Sequence, residues 1–250
     1  MLPLLLGLAL SSTANASDLA PPMWGVGPTF STILLPGNFP STLPRLKSGE
    51  TAPTDLLDEN EKTLSDDYFS QVRGDAAIGV RGLIYANRTW RGALRGQLGF
   101  GSNYTSRQIT LEIDKSLLNE GRISAFVGGG IGIGGMTFKS DNPEVAEGVE
   151  QIDYNALYKA QTYPLRVHAG GDYRLNKYMV ELALFGQLPI PGNQTLYYDD
   201  KDGVSQEAQI GIGFNPLQYV QLGFELSGYW GDFKNREGQS KNGKKGKKGK

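Results

Sequence analysis

The sequence predicts an all-β chain folded as a transmembrane antiparallel up-and-down β-barrel of about eight strands (range about 8–10). Three observations carry this. From Val72 to Trp230 apolar residues recur at every second position in long runs, and a period of two puts alternate side chains on opposite faces of a strand. The runs reach about 10–15 residues, against the 5–6 usual for soluble strands. The face opposite the apolar one carries glycines and single charges of both signs, which suits a narrow lumen better than a solvated surface. Nothing after residue 16 approaches a transmembrane helix, so a membrane could be crossed only by closed β-structure.

The chain opens "MLPLLLGLALSSTANAS". Residues 2–10 are apolar apart from Pro3 and Gly7, too short for a spanning helix of about 20 residues. Small polar residues follow, then Ala14-Asn15-Ala16, an A-x-A cleavage pattern. Residues 1–16 read as a secretory signal peptide, with the departure that no Lys or Arg precedes the apolar run. The absence of Cys removes disulfides, a lipoprotein anchor and thiolate metal sites. A net charge of −1 gives no basic field for nucleic acid, so none is expected as a partner.

Residues 17–71 read as an irregular N-terminal segment. It holds one strand-like piece, "WGVGPTFSTILL" (24–35), and a Pro-rich, acidic remainder with too few apolar residues to fold alone. The barrel is expected over 72–233, followed by a flexible Lys/Gly-rich tail at 234–250 that closes in "KNGKKGKKGK".

The barrel segment divides into eight alternating runs. In 72–86, Ala76, Ile78, Val80, Gly82 and Ile84 oppose Asp75, Arg81 and Tyr85. In 90–101, Trp90, Leu94, Leu98 and Phe100 oppose Arg91, Arg95 and Gln97. In 106–116, Ile109, Leu111 and Ile113 oppose Gln108, Thr110, Glu112 and Asp114. In 123–138, Ile123, Val127, Ile131 and Ile133 oppose Ser124, Phe126 and a row of glycines. In 162–175, Tyr163, Leu165, Val167 and Tyr173 oppose Arg166, His168, Asp172 and Arg174. In 178–188, Tyr178, Val180, Leu182 and Leu184 oppose Glu181 and Gln187. In 205–214, Ala208, Ile210 and Ile212 oppose Glu207 and Gln209, and in 217–230, Leu222, Phe224, Leu226 and Trp230 oppose Gln221, Glu225, Ser227 and Tyr229. Turn signals "ANRT" (86–89), "GSN" (101–103), "LNEG" (118–121), "LNK" (175–177) and "NP" (215–216) separate them, and longer polar loops are expected at 139–161 and 189–204.

The stretch "ISAFVGGGIGIGGMTF" (123–138) contains Gly130, Gly132 and Gly135 at the G-x-G-x-x-G spacing of a dinucleotide loop. That loop needs a helix after its glycines. Here "MTFKSDNPEV" follows, without helical periodicity and interrupted by Pro143. The glycines continue the alternation instead, with Gly128, Gly130, Gly132 and Gly134 on the lumen face.

The lumen is expected to hold a polar network of Asp75, Arg81, Arg95, Glu112, Arg166, His168, Asp172, Arg174, Glu181 and Glu225. Mixed signs in so narrow a barrel imply a filled interior, with the charges paired because unpaired buried charges are costly. Trp90, Tyr104, Tyr163, Tyr178 and Trp230 stand at or near strand ends, as an aromatic girdle requires. His168 is the only His. With Ser124 or Ser227 it could form a lipid-deacylating site, but no spacing motif supports one, so no catalytic residue is assigned and no enzyme is expected. The acidic stretches "DLLDENEK" and "SDNPEVAEGVEQID", and the fragment "DDKDG" (199–203), lack the D-x-[DN]-x-[DN]-G pattern of a Ca²⁺ loop. No metal and no cofactor is expected.

The segment 72–230 resembles the small bacterial outer-membrane barrels of the OmpA/OmpX/OmpW type, on pattern and turn spacing rather than a specific motif. More narrowly, "WGVGPTFSTILLPGNFP" (24–40), "LFGQLPIPGN" (184–193) and "YWGDF" (229–233) look like outer-membrane barrels of myxobacteria. The resemblance implies the bacterial outer membrane as destination, reached through the cleaved signal peptide. Outer-membrane lipid, lipopolysaccharide (whose phosphates the Lys/Gly-rich tail 234–250 could contact) and envelope proteins are expected as partners. The leading expectation is a structural role as envelope anchor or complex subunit, in gliding or adhesion machinery, gliding being what the myxobacterial likeness hints at. A narrow channel for a small or apolar solute and a lipid-modifying enzyme are the alternatives. Such barrels normally end on an aromatic residue; here about 17 residues follow Phe233. Strand parity stays open, because 24–35 could span, plug the lumen or lie in the periplasm.

Overall fold

The alternating runs form strands, and the strands close on themselves. The computed structural model describes residues 23–35, 45–51, 75–87, 89–101, 104–120, 122–139, 157–199, 205–211 and 220–233. They contain ten strands: β1 (Trp24–Leu35), β2 (Arg45–Leu46), β3 (Asp75–Tyr85), β4 (Trp90–Phe100), β5 (Tyr104–Glu120), β6 (Ile123–Lys139), β7 (Leu157–Leu175), β8 (Tyr178–Asp199), β9 (Ser205–Gly211) and β10 (Gln221–Asp232). Every pairing is antiparallel, and β10 pairs both β1 and β8, which closes an eight-strand ring in the order β1-β3-β4-β5-β6-β7-β8-β10. The expected signal peptide, the acidic stretches 52–68 and 140–153 and the tail 234–250 lie outside the described residues.

One open alternative is decided, in favour of a spanning strand at 24–35, and one expectation, for 205–211, is corrected. Residues 24–35 are neither a plug nor a periplasmic segment. Trp24 stands opposite both Asp232 of β10 and Ile84 of β3, so β1 is the strand that closes the ring. Residues 205–211 alternate as a barrel strand would, but β9 pairs only the far part of β8 (Gln194–Asp199) and the short β2. The near part of β8, Tyr178–Gln187, belongs to β10. The barrel is therefore 24–35 with 75–233, not 72–233 alone. Both termini of the barrel and the connections 86–89, 121–122 and 176–177 lie at one end. The strand ends that the long connections 36–74, 140–156 and 200–220 join lie at the other.

The strands also run further than the turn residues suggest. The loops expected at 139–161 and 189–204 are partly strand, because β7 begins at Leu157 and β8 continues to Asp199. Pro189 and Pro191 do not stop β8. They lie between its pairing with β10, which ends at Gln187, and its pairing with β9, which starts at Gln194, so one edge needs no donor there. On the other edge Pro189 stands opposite Pro164. Between β7 and β8 the chain turns on Asn176, whose φ of 42° is the left-handed conformation a two-residue hairpin needs.

The polarity is inside-out. Ile78, Val80, Ile84, Leu94, Leu98, Ile109, Leu111, Ile131, Val167, Leu182 and Leu184 face outward, each about half exposed or more. About 11 residues per strand at about 3.3 Å each, tilted by about 45°, make this apolar belt about 26 Å tall, the height of a bilayer's hydrocarbon band.

Gly128, Gly130, Gly132 and Gly134 of β6 face the lumen, opposite Asp114, Glu112, Thr110 and Gln108 of β5. A Cβ at Gly132 would strike the Ile109 carbonyl oxygen and come within 2.6 Å of Thr110 Cγ2. A Cβ at the outward Gly82 would meet nothing. Gly132→Leu is accordingly expected to block barrel assembly, read as loss of the heat-modifiable gel band, and Gly82→Leu to leave that band intact. Normal folding of Gly132→Leu would contradict the placement.

Candidate functional site

The same alternation that turns aliphatic residues out turns charges in. Arg81 on β3, Arg91 and Arg95 on β4, Glu112 and Asp114 on β5, Arg166, His168, Asp172 and Arg174 on β7, Glu181 on β8 and Glu225 on β10 all point into the lumen, none more than 5% exposed. The set holds five arginines and five carboxylates, with one histidine besides.

Glu112 is the hub. Its carboxylate lies 2.8 Å from Arg81 Nη2, 3.0 Å from Arg95 Nε and 3.9 Å from Arg166 Nε. Glu225 joins Arg95 and Arg166, the latter at 3.0 Å. Toward the turn end, Arg81 also reaches Asp114 at 2.9 Å, Glu181, and the Tyr229 hydroxyl at 2.9 Å. Arg91 reaches Asp114 at 2.7 Å, Glu181 at 2.6 Å and Asp172 at 3.4 Å. Arg174 pairs with Asp172 at 2.9 Å. Guanidiniums also lie over rings, Arg166 over Phe185 at 3.8 Å, Arg91 over Phe126 at 4.0 Å and Arg174 over Tyr85 at 5.5 Å.

The network has a floor and a ceiling. At the turn end Leu83, Tyr85, Ala93, Met179, Tyr229 and Phe233 form a buried apolar cluster. Phe233, the aromatic at the end of the last strand, is turned into the barrel mouth, where its ring lies against Gly25. On the loop side a chain of side-chain hydrogen bonds crosses the lumen. Gln97 donates to Ser31 at 2.7 Å, Gln108 to Gln97 at 3.0 Å, and Gln187 to Gln108 at 3.2 Å and to Gln221 at 3.4 Å. Between these amides and Arg166 lies a chamber of about 20 Å³, room for about one water molecule. Arg166 Nη1 has no hydrogen-bond partner among the described residues, and the chamber is large enough for a water to serve it.

Of the expected lumen residues, Arg81, Arg95, Glu112, Arg166, His168, Asp172, Arg174, Glu181 and Glu225 are brought into this network. Asp75 lies in β3, but its side chain is outside the described ones. The expectation missed Arg91, Asp114, Tyr85, Tyr229 and the glutamine belt as members. All of them sit on the inward face of the alternation, so the face was visible and the cross-lumen partners were not. Of the girdle, Trp90, Tyr163, Tyr178 and Trp230 face outward. The Tyr104 side chain lies outside the described ones. Trp24 and Tyr173 join at the turn end, and Trp24 meets Trp230 edge-on at 5.5 Å.

His168 Nε2 lies 2.7 Å from Asp114 across Gly128, and its Nδ1 has no hydrogen-bond partner among the described residues. Ser124 instead donates to Asp172 at 2.6 Å and accepts from Arg174 at 2.6 Å, and Ser227 donates to Glu225 at 3.3 Å. The two serines considered as nucleophiles are thus hydrogen-bonded to carboxylates rather than to the imidazole.

These features define a class: a small closed antiparallel barrel, apolar outside, with a lumen crossed by paired charges. The chain matches no protein-family profile and no curated protein sequence. Among solved structures it is similar to the outer membrane protein OprG from Pseudomonas aeruginosa, at 9% identity over 84% of this chain and 94% of that one, TM-score 0.45. It is similar also to a major outer membrane protein from Thermus thermophilus, at 9% identity over 84% and 99% of the chains, TM-score 0.46. At these levels neither activity nor ligands transfer, and the barrel rests on its own strand pairing.

Glu112→Gln would leave three arginines short of one negative charge in a dry interior, and removing one partner of a buried pair costs about 3–5 kcal/mol. A loss of that size is expected in urea unfolding of the protein in lipid vesicles. A change below about 1 kcal/mol would mean that water reaches the network.

Proposed function

We propose that this chain is a non-enzymatic outer-membrane barrel that serves as an envelope anchor or as a subunit of an envelope complex, of the kind gliding or adhesion machinery requires. The observation that carries the reading is the combination of an apolar outer belt with a lumen cross-linked by ion pairs from several strands. Such a belt favours burial in hydrocarbon, and a cross-linked interior favours a solid pillar over a pore. Short turns and both barrel termini at one end, long connections at the other, agree with the usual disposition of periplasmic turns and outer loops. Export through a cleaved signal peptide at residues 1–16 belongs to this reading. The narrower likeness to myxobacterial barrels rests on sequence alone.

Passage of a small solute is less well supported. A route through the lumen would have to part Arg95 from Glu225 and Glu112, and the glutamine belt above them. Catalysis is disfavoured by the bonding of Ser124 and Ser227 to carboxylates.

The purified protein in planar bilayers is expected to give no steady conductance, and envelope proteins are expected to co-purify with it from detergent extracts of native membranes. Stable openings of nanosiemens size would overturn the sealed-pillar reading. Uptake of a solute that is lost in Arg95→Gln would favour the channel instead.

A further inference from the structure

The outer wall is not evenly covered. Over β10, β1, β3, β4, β5, β6 and β7 it carries a furrow of about 1100 Å³, lined by Phe30, Ile78, Leu98, Ile109, Ile133 and Leu226. The furrow exists because glycines stand where neighbours carry large side chains. At Gly96 and Gly228, both in its lining, an added Cβ would meet nothing within 4 Å. A cleft with this lining fits extended hydrocarbon chains.

Its rim toward the loop end is different in chemistry. Arg107 and Gln161 line the furrow there. Both stand opposite Gly135 of β6, one from each side. Arg107 is exposed and has no ion-pair partner among the described residues. Lys159 stands two residues beyond Gln161 on the same outward face, exposed, with its ammonium 4.3 Å from the Tyr197 ring centre. Lys139, also exposed and outward, follows on β6. Glu207, opposite Tyr197 on β9, bounds this basic patch on its far side. Two strand spacings of about 4.8 Å and two residues of about 3.3 Å put the Arg107 and Lys159 backbones about 12 Å apart. That span suits a head group with more than one phosphate better than a single phosphodiester.

We infer that the furrow and its basic rim form a binding site for a phosphorylated glycolipid of the outer leaflet, acyl chains in the furrow and phosphates on Arg107 and Lys159. The inference rests on the membrane reading proposed above, which sets the loop end toward the outer leaflet. Basic residues near a lipid surface each contribute a roughly fivefold gain in affinity for anionic head groups.

The test uses native mass spectrometry of the full-length folded protein in zwitterionic micelles. The probes are bisphosphorylated lipid A, its dephosphorylated form, and phosphatidylglycerol. Bisphosphorylated lipid A is expected to bind most tightly of the three. Arg107→Gln should weaken it about fivefold, and Arg107→Gln with Lys159→Gln about 25-fold. Gly96→Leu and Gly228→Leu, which fill the furrow, should weaken it without loss of heat-modifiable mobility, and Lys115→Gln at the turn end should change nothing. Equal binding of the dephosphorylated lipid or of phosphatidylglycerol, or full binding by the Arg107→Gln protein, would overturn the site while leaving the barrel reading intact. Failure of the wild-type chain to give a heat-modifiable band in lipid would sink the membrane reading itself.

Discussion

The rest of the structure depends on the pairing of charge inside a barrel too narrow to hold bulk water. Five arginines and five carboxylates leave solvent together. The desolvation of each is severe, and only close, multiply shared contacts offset it. Glu112 shared by Arg81, Arg95 and Arg166, and Asp114 shared by Arg81, Arg91 and His168, are such contacts. They come from different strands, so the network is satisfied only when all of those strands are present in one register. A slip of one residue would turn every lumen charge on that strand outward. The outer faces, rich in Val, Ile and Leu all round, would tolerate many registers. The charges select one.

Sharing of that kind needs room, and β6 supplies it. Its glycines stand between the acidic column of β5 and Arg166 and His168 of β7. The His168–Asp114 contact passes over Gly128, where a Cβ would lie 2.8 Å from His168 Nε2. A spacing that looks like a phosphate cradle is thus the thin part of a wall, built so that side chains from both neighbours can meet across it.

What the sequence made legible follows from the same physics. Alternation is a property of each strand alone, so the inward set from Arg81 to Glu225 and the outward belt could be read directly. Partnership is not. Arg91 and Asp114 lie on the inward face of their strands like Arg95 and Glu112, and only closure of the barrel shows that they join the same network. Membership of the ring was equally hidden. Residues 24–35 and 205–211 both alternate, and nothing in either run tells that β1 has two barrel neighbours while β9 has only the far end of β8 and the short β2. The prolines at 189 and 191 read as a stop because their harm depends on an edge partner that β8 lacks at that level.

The two ends of the barrel are built differently. The turn end is finished: Phe233 fills the mouth, Tyr85, Met179 and Tyr229 pack beneath the ion network, and the Phe233 amide donates to the Asn176 carbonyl at 2.7 Å. At the loop end β7 and β8 continue past the belt, and β9 and β2 are added to them. Phe138 stacks on Tyr158 at 5.2 Å, and Leu196, Ala208 and Ile210 are buried on the inner face of this extension. A chain that served only to close a hole in a membrane would gain nothing from a second buried apolar surface beyond the belt. This packing gives the described strands of the loop end a core of their own, above a lumen whose charges pair chiefly with one another. On the proposed anchor reading, recognition falls to the outer faces: the packed surface at the loop end and the basic-rimmed furrow beneath it.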